Sequence, residues 1–339
     1  MAVHDTVILA DGVTHSANCP ETGRNDNILV CGGSGSGKTV SFTEPCILGT
    51  YERNLIVTVT KHGLVDKYTS LLQSRGYSTA VLDFTDASKS THGYDQLLYA
   101  TCCDDIGFVA RSVVLANPDK EGKLHDPYWD MAASGLLAAL IAGTMATTQD
   151  ASFADVIDCY KSLKIDYSGS VITTNLDGFF KRLDDSELGS FAKMNWRTFR
   201  ELPPKTASCV LSTLGSTIGQ MFDPELMAMM RNPNKLDFAQ FAKRKSVLFV
   251  VTSPVNPALD PLISQFYANA LKQLFEYADR QPNGKLPPRF TLSVMILPQA
   301  PRYRTFINTF PSFAKKEYPY LSYASLNPSW KDSILKQKR

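Results

Sequence analysis

The chain has 339 residues, 44% of them hydrophobic and 20% charged, with a formal net charge of +2. This is the balance of a globular protein with a sizeable core, and the length suits two domains or one large domain with an insert. A chain whose total positive charge alone would hold nucleic acid is excluded, which leaves only a local basic patch for that role.

The first predicted element is Asn27 to Cys31 (NILVC), a short apolar run that ends in glycines and reads as a buried strand. Gly32 to Gly37 forms a turn, and Lys38 onward opens a helix in which Pro45, about two turns in, predicts a bend or an end. Asn54 to Thr60 (NLIVTVT) is β-branched and apolar, a second buried strand. Leu64, Tyr68, Leu71 and Leu72 fall at helical spacing, and Gly76 closes that helix. Ser78 to Phe84 gives a third strand. Strand and helix alternate here as in a parallel sheet with right-handed crossovers.

From about Thr91 the rhythm changes. Asp126 to Met145, Phe153 to Leu163, Ser190 to Phe199 and Thr206 to Met221 read as helices with no clear strand among them. They predict a helical insert of domain size. The strand signal returns at Ser246 to Thr252 (SVLFVVT), followed by a helix from Pro261 to Arg280 and an apolar run at Phe290 to Leu297. The expected fold class is therefore α/β, with a central parallel sheet split around an all-helical insert. The expected parts are residues 1–90 and 241–292 for the sheet domain, 91–240 for the insert, and 293–339 for a separate tail.

The seven cysteines (19, 31, 46, 102, 103, 159 and 209) form no CxxC pair and lack zinc-ligand spacing, so reduced thiols are expected. The N-terminus lacks the basic start and apolar core of a secretion signal. The longest apolar stretch, around Gly135 to Ala142, is shorter than the roughly 20 residues a span needs. The expectation is a cytoplasmic protein whose membrane contact, if any, runs through a partner.

The run Gly32-Gly33-Ser34-Gly35-Ser36-Gly37-Lys38-Thr39 fits G-x-x-x-x-G-K-[ST], the P-loop pattern. Glycines let the backbone turn tightly enough for successive N–H groups to point at phosphates. The following helix offers its positive end to the same anion. Lys38 is expected to reach the β- and γ-phosphates of ATP, and the Thr39 hydroxyl to bind Mg2+. Hydrolysis also needs a carboxylate at the end of a neighbouring strand. Asp83 is one candidate, though a turn or capping role suits it as well. The runs ending at Thr252-Ser253 and at Leu297-Pro298-Gln299 carry no acid.

Several segments now carry a resemblance. Asn25 to Val30 leads into the P-loop; then follow Leu55 to Lys61, Gly76-Tyr77, Asp126-Pro127-Tyr128-Trp129, Lys205 to Ser208, and Leu248 to Val251. In that order and spacing the chain, over about residues 5 to 292, resembles the TraG/TraD family of type IV secretion coupling proteins, in the short form without an N-terminal membrane anchor. The resemblance implies a RecA-like ATPase domain with an all-helical insert. It implies a homo-hexamer that spends ATP to pass single-stranded DNA, with its relaxase complex, to the secretion channel components. Where relatives often have Asp-Pro-Lys-Gly, this chain has Val59-Thr60-Lys61-His62, so only Lys61 carries over. A relative that binds nucleotide without efficient hydrolysis, and an unrelated P-loop enzyme such as a small-molecule kinase, are the alternatives.

Past Leu292 the chain departs from its relatives, which run into an acidic strand end and then a Gln-Ser motif. The codons explain the departure. Methionine is only ATG and every isoleucine codon begins AT, so the triplet bridging Met295 and Ile296 is GAT, aspartate. The same shift permits Asp-Asp-Phe-Ala-Thr-Gly across Val294 to Ala300, and Cys-Gln-Ser-Glu-Ser-Gln-Leu-Glu-Arg-Leu-Tyr across Tyr323 to Ile334. The glutamate bridging Trp330 and Lys331 is forced. Residues from about 293 are thus expected to be out of frame, truncating the family sequence. Lys315, Lys316, Lys331, Lys336, Lys338 and Arg339 then form a solvated run rather than a DNA-binding patch. Tyr318, Tyr320, Tyr323 and Trp330 likewise form no base-stacking platform.

Overall fold

The computed structural model describes residues 6–16, 28–30, 35–115, 126–221, 223–253, 259–282, 284, 286, 290–294 and 321–324. The chain divides into two compact units, one formed by residues 1–92, 236–257 and 270–339, the other by 93–235 and 258–269.

In the first unit, strands β1 (Thr6–Ala10) and β2 (Val13–Ser16) pair as an antiparallel hairpin that the sequence reading missed. The main sheet uses β3 (Ile28–Val30), β4 (Asn54–Val59), β5 (Ser78–Asp83), β8 (Ser246–Val251), β9 (Phe290–Val294) and β10 (Leu321–Ala324). Their order is β3-β10-β9-β4-β8-β5, with every neighbouring pair parallel. All six residues of β4 and of β8 are buried, as both-face coverage in a parallel sheet requires. One face carries Leu55, Val57, Val59, Val247, Phe249 and Val251 against helix α2 (Gly63–Ser74) and against Phe42 and Ile47 of the segment after β3. Gly76, at φ +82, ends α2 in the left-handed conformation that an amino acid with a Cβ adopts only with strain.

Asn54 holds the bottom of the sheet. Its side-chain amide donates to the Phe241 carbonyl at 2.8 Å, and its Oδ1 accepts from the Ser246 amide at 2.8 Å. A buried asparagine is tolerated at the first position of β4 because both ends of its amide are satisfied.

The second unit is helical: α3 (Cys103–Leu115), α4 (Pro127–Thr147), α5 (Phe153–Ser162), α6 (Asp177–Arg182), α7 (Glu187–Arg200), α8 (Pro204–Met221) and α9 (Pro224–Arg231). Helix α10 (Phe238–Lys243) belongs to the first unit, and α11 (Asp260–Asp279) contributes residues to both. Asp126 caps α4 by accepting from the Tyr128 amide at 2.9 Å, with Pro127 at the first helical position. Leu136 to Ala142 are all buried. At 21 residues, α4 has the length and apolar composition of a bilayer span, but 56% of its most apolar window is buried inside the protein, as in a core helix. Gly143 lets the Phe179 and Phe180 rings approach, since a Cβ there would meet both at 3.0 Å. Phe180 in turn stacks on Trp196 at 4.1 Å.

The insert is not strand-free. Residues Ile165–Asp166 (β6) and Thr173–Thr174 (β7) form a two-residue antiparallel ladder. Such a pair is too short to give a periodic signal. Helix α3 also went unread, although Ile106, Val109, Ala110, Val113 and Val114 do recur at helical spacing and are buried.

Asp95 is the most consequential buried charge of this unit. It is 2% exposed, accepts from the amides of Leu97 (2.8 Å) and Phe153 (3.1 Å), and lies 3.7 Å from Lys235 Nζ. Burial outweighs these donors and the lysine, and pushes its pKa up to about 6. A carboxyl that holds its proton longer folded than unfolded contributes stability below about pH 4 that disappears as pH rises through 6. Urea melts at pH 4 and pH 6.5 are therefore expected to show a loss of up to about 3 kcal/mol from this group. Asp95→Asn should remove it, and parallel profiles for the two proteins would contradict the assignment.

Candidate functional site

The site is the segment between β3 and the core-facing residues Phe42 and Ile47. Gly32, Gly33 and Ser34 lie outside the described residues. Gly35 and Gly37 have φ of +76 and +80, a region where a Cβ is strained, so the loop at these points demands glycine. A Cβ on Gly37 would also sit 3.4 Å from Ser41 Oγ. Lys38 follows directly and turns its Nζ back over the loop to 3.5 Å from Ser36 Oγ. Thr39 begins the helical segment, and the Ser41 amide bonds the Gly37 carbonyl at 2.8 Å.

That segment is not a plain α-helix. Thr39–Thr43 is a π-turn, with the Glu44 amide reaching back to the Thr39 carbonyl, and α1 (Glu44–Leu48) continues from it. Pro45 explains the widening. It has no N–H to give the preceding turn, and its ring crowds the carbonyl four residues back, so the chain opens one residue wider before it. The helix survives the proline but ends at Leu48.

Glu44 ties this segment to α2. Its Oε2 accepts from Lys67 Nζ and from the Tyr68 hydroxyl. The Lys67 hydrogen bond, then that of Tyr68, holds its carboxyl below the usual range. The sequence reading missed this anchor because it joins residues more than twenty positions apart on two helices.

The residues present suit a nucleotide phosphate with Mg2+. Two glycines in left-handed geometry keep the backbone uncovered, an ammonium folds back over the loop, and a hydroxyl begins the helix. Among the described strands of the main sheet, only β5 ends in a carboxylate. β8 ends at Val251, and the Thr252 amide just beyond it bonds the Val59 carbonyl at 2.9 Å. Asp83 ends β5 at the sheet edge opposite β3, five strand spacings or about 24 Å away. Its Oδ1 accepts from Thr85 N, Thr85 Oγ1 and Asp86 N at 2.6–3.0 Å, and its Oδ2 lies 3.0 Å from His62 Nδ1. It is a turn aspartate. His62, at the start of α2, is also 3.6 Å from Asp66, whereas Lys61 beside it is exposed. No group of three or more metal-ligating side chains occurs among the described residues.

The family model for type IV secretory system conjugative DNA transfer matches residues 8–297. No curated protein sequence matches the chain. Among solved structures, an unbound form of the bacterial conjugative coupling protein TrwBdeltaN70 is similar at TM-score 0.56 and 15% identity, over 94% of this chain and 65% of that one. The plasmid coupling protein TrwB with a non-hydrolysable ATP analogue gives 0.51 at 15% identity, over 96% and 68%. TrwB with ADP and Mg2+ gives 0.52 at 17% identity, over 98% and 70%. At these identities the likeness is one of fold, and this chain spans about two thirds of those proteins' length.

Proposed function

The chain belongs to the type IV secretory system conjugative DNA transfer family, and from that premise we propose that it is a coupling ATPase moving single-stranded DNA. Gly32 to Thr39 would hold ATP, the loop amides and Lys38 binding its phosphates and Thr39 supplying a hydroxyl for Mg2+. When bound, Mg2+ would supply positive charge to offset what develops during phosphoryl transfer. The observation that carries this reading is the pair Gly35 and Gly37 at positive φ, immediately ahead of Lys38 at the head of a helix. The TrwB complexes with an ATP analogue and with ADP and Mg2+ support the choice of ligand. By extension from the family, a hexameric ring acts on a relaxase–DNA complex at the cytoplasmic side of the secretion channel.

A second reading, nucleotide binding without efficient turnover, is favoured by one observation: Asp83, the one carboxylate that ends a described strand of the main sheet, is committed to a turn at the far edge. An unrelated P-loop kinase is set aside by the family membership. Steady-state ATP hydrolysis with and without single-stranded DNA separates the two. DNA-stimulated turnover supports the motor. Mg-ATP binding with turnover at background supports the second reading, and failure to bind nucleotide overturns both.

A further inference from the structure

Three observations converge on the residues after Leu292. The first is the sheet. β9 ends at Val294, and β10 lies between it and β3, parallel to both. A carboxylate just past Val294 would leave the same edge of the sheet as the phosphate loop, two strand spacings or about 10 Å to the side. That is where a P-loop NTPase needs its Mg2+-holding acid. In sequence, β9 is followed by Met295-Ile296-Leu297, which carry no acid.

The second is the connection. Parallel neighbours such as β9 and β10 need a crossover of a dozen or more residues, usually a helix. Residues 295–320 supply the length but carry Pro298, Pro301, Pro311 and Pro319. The longest run between them is nine residues, 302–310, which limits any crossover helix to about three turns.

The third is the genetic code. In the frame that begins one base earlier, each triplet takes the last base of one codon and the first two of the next. The Met295–Ile296 triplet is then aspartate whatever the synonymous codons. Glu317–Tyr318 becomes Ile or Val, Pro319–Tyr320 becomes Leu, Ile or Val, and Ser322–Tyr323 becomes one of the same three. Forced aliphatic residues therefore line up where the chain reaches β10.

We propose that the reading frame of this chain shifts by one base between Leu292 and Met295, and that the earlier frame encodes the missing half of the site. That half is an aspartate directly after β9, able to face the phosphate loop through Mg2+, followed by an aliphatic strand for the slot that β10 occupies. The role given to the aspartate rests on the nucleotide-binding reading above, whereas the frame itself does not.

The test has two parts. Sequencing the coding DNA from the Leu292 codon onward is expected to show the earlier frame open beyond the Tyr323 triplet. A stop codon before that point overturns the proposal. The full chain is then compared with a form carrying one added base after the Leu292 codon, which moves translation into the earlier frame. Both are expected to bind Mg-ATP, and the second to hydrolyse it at least about 10²-fold faster, the loss typical when one transition-state stabiliser is removed. Equal turnover in two forms that bind nucleotide equally overturns the catalytic part. If neither form binds nucleotide, the P-loop reading fails, while the DNA still decides the frame.

Discussion

Lys38→Ala is expected to weaken Mg-ATP binding about 10- to 100-fold while leaving the thermal midpoint within a degree or two. Lys38 folds back over the loop, with its Nζ 3.5 Å from Ser36 Oγ. A hydrogen bond to a charged group contributes about 1.5–3 kcal/mol, which is that range of affinity. The side chain is not part of the packed core; Phe42 and Ile47 hold the segment on the sheet instead. Stability should therefore be nearly unaffected. Titration of a fluorescent ATP analogue, alongside a thermal melt, checks both halves. Unchanged affinity would mean that the phosphates lie elsewhere.

Asn54→Leu should cost about 2–5 kcal/mol of stability. Leucine branches at the same carbon but is bulkier, so the loss combines the unmet polar contacts with overpacking at a fully buried position. The Ser246 amide and the Phe241 carbonyl would both lose their partner inside the protein. Each buried polar group left unsatisfied costs about 1–3 kcal/mol. Chemical denaturation measures the sum, and a loss below about 1 kcal/mol would show that water replaces the amide. Nucleotide affinity should change little in the folded fraction, because Asn54 begins β4 at the sheet edge away from the loop.

These two residues also mark what a sequence can disclose. The P-loop is legible because its chemistry is local: glycines, lysine and threonine in one short run fix a turn and a helix start. β4, β5 and β8 are legible because buried parallel strands are written as β-branched runs. The order of those strands is not, since Asn54 and Ser246 meet across 192 positions and no local pattern announces it. For the same reason Asp83 could not be dismissed from sequence. Its run ends in an acid like a site strand, and only the sheet order puts it at the wrong edge. The widened turn before Pro45 was readable as a disturbance but not as a π-turn. The β6–β7 ladder, two residues a side, falls below any periodicity.

β3 sits at the edge of its sheet, and its neighbour there is β10, with Ile28 opposite Ser322. The two are nearly the whole chain apart. At about 5–20 residues per second, a ribosome needs roughly 15–60 s to travel from one to the other. Throughout that interval the strand carrying the phosphate loop has no partner in the main sheet. Nascent protein should therefore acquire nucleotide affinity late and abruptly, as the last strand emerges. Whichever reading frame supplies that strand sets the moment at which the oldest part of the chain becomes competent.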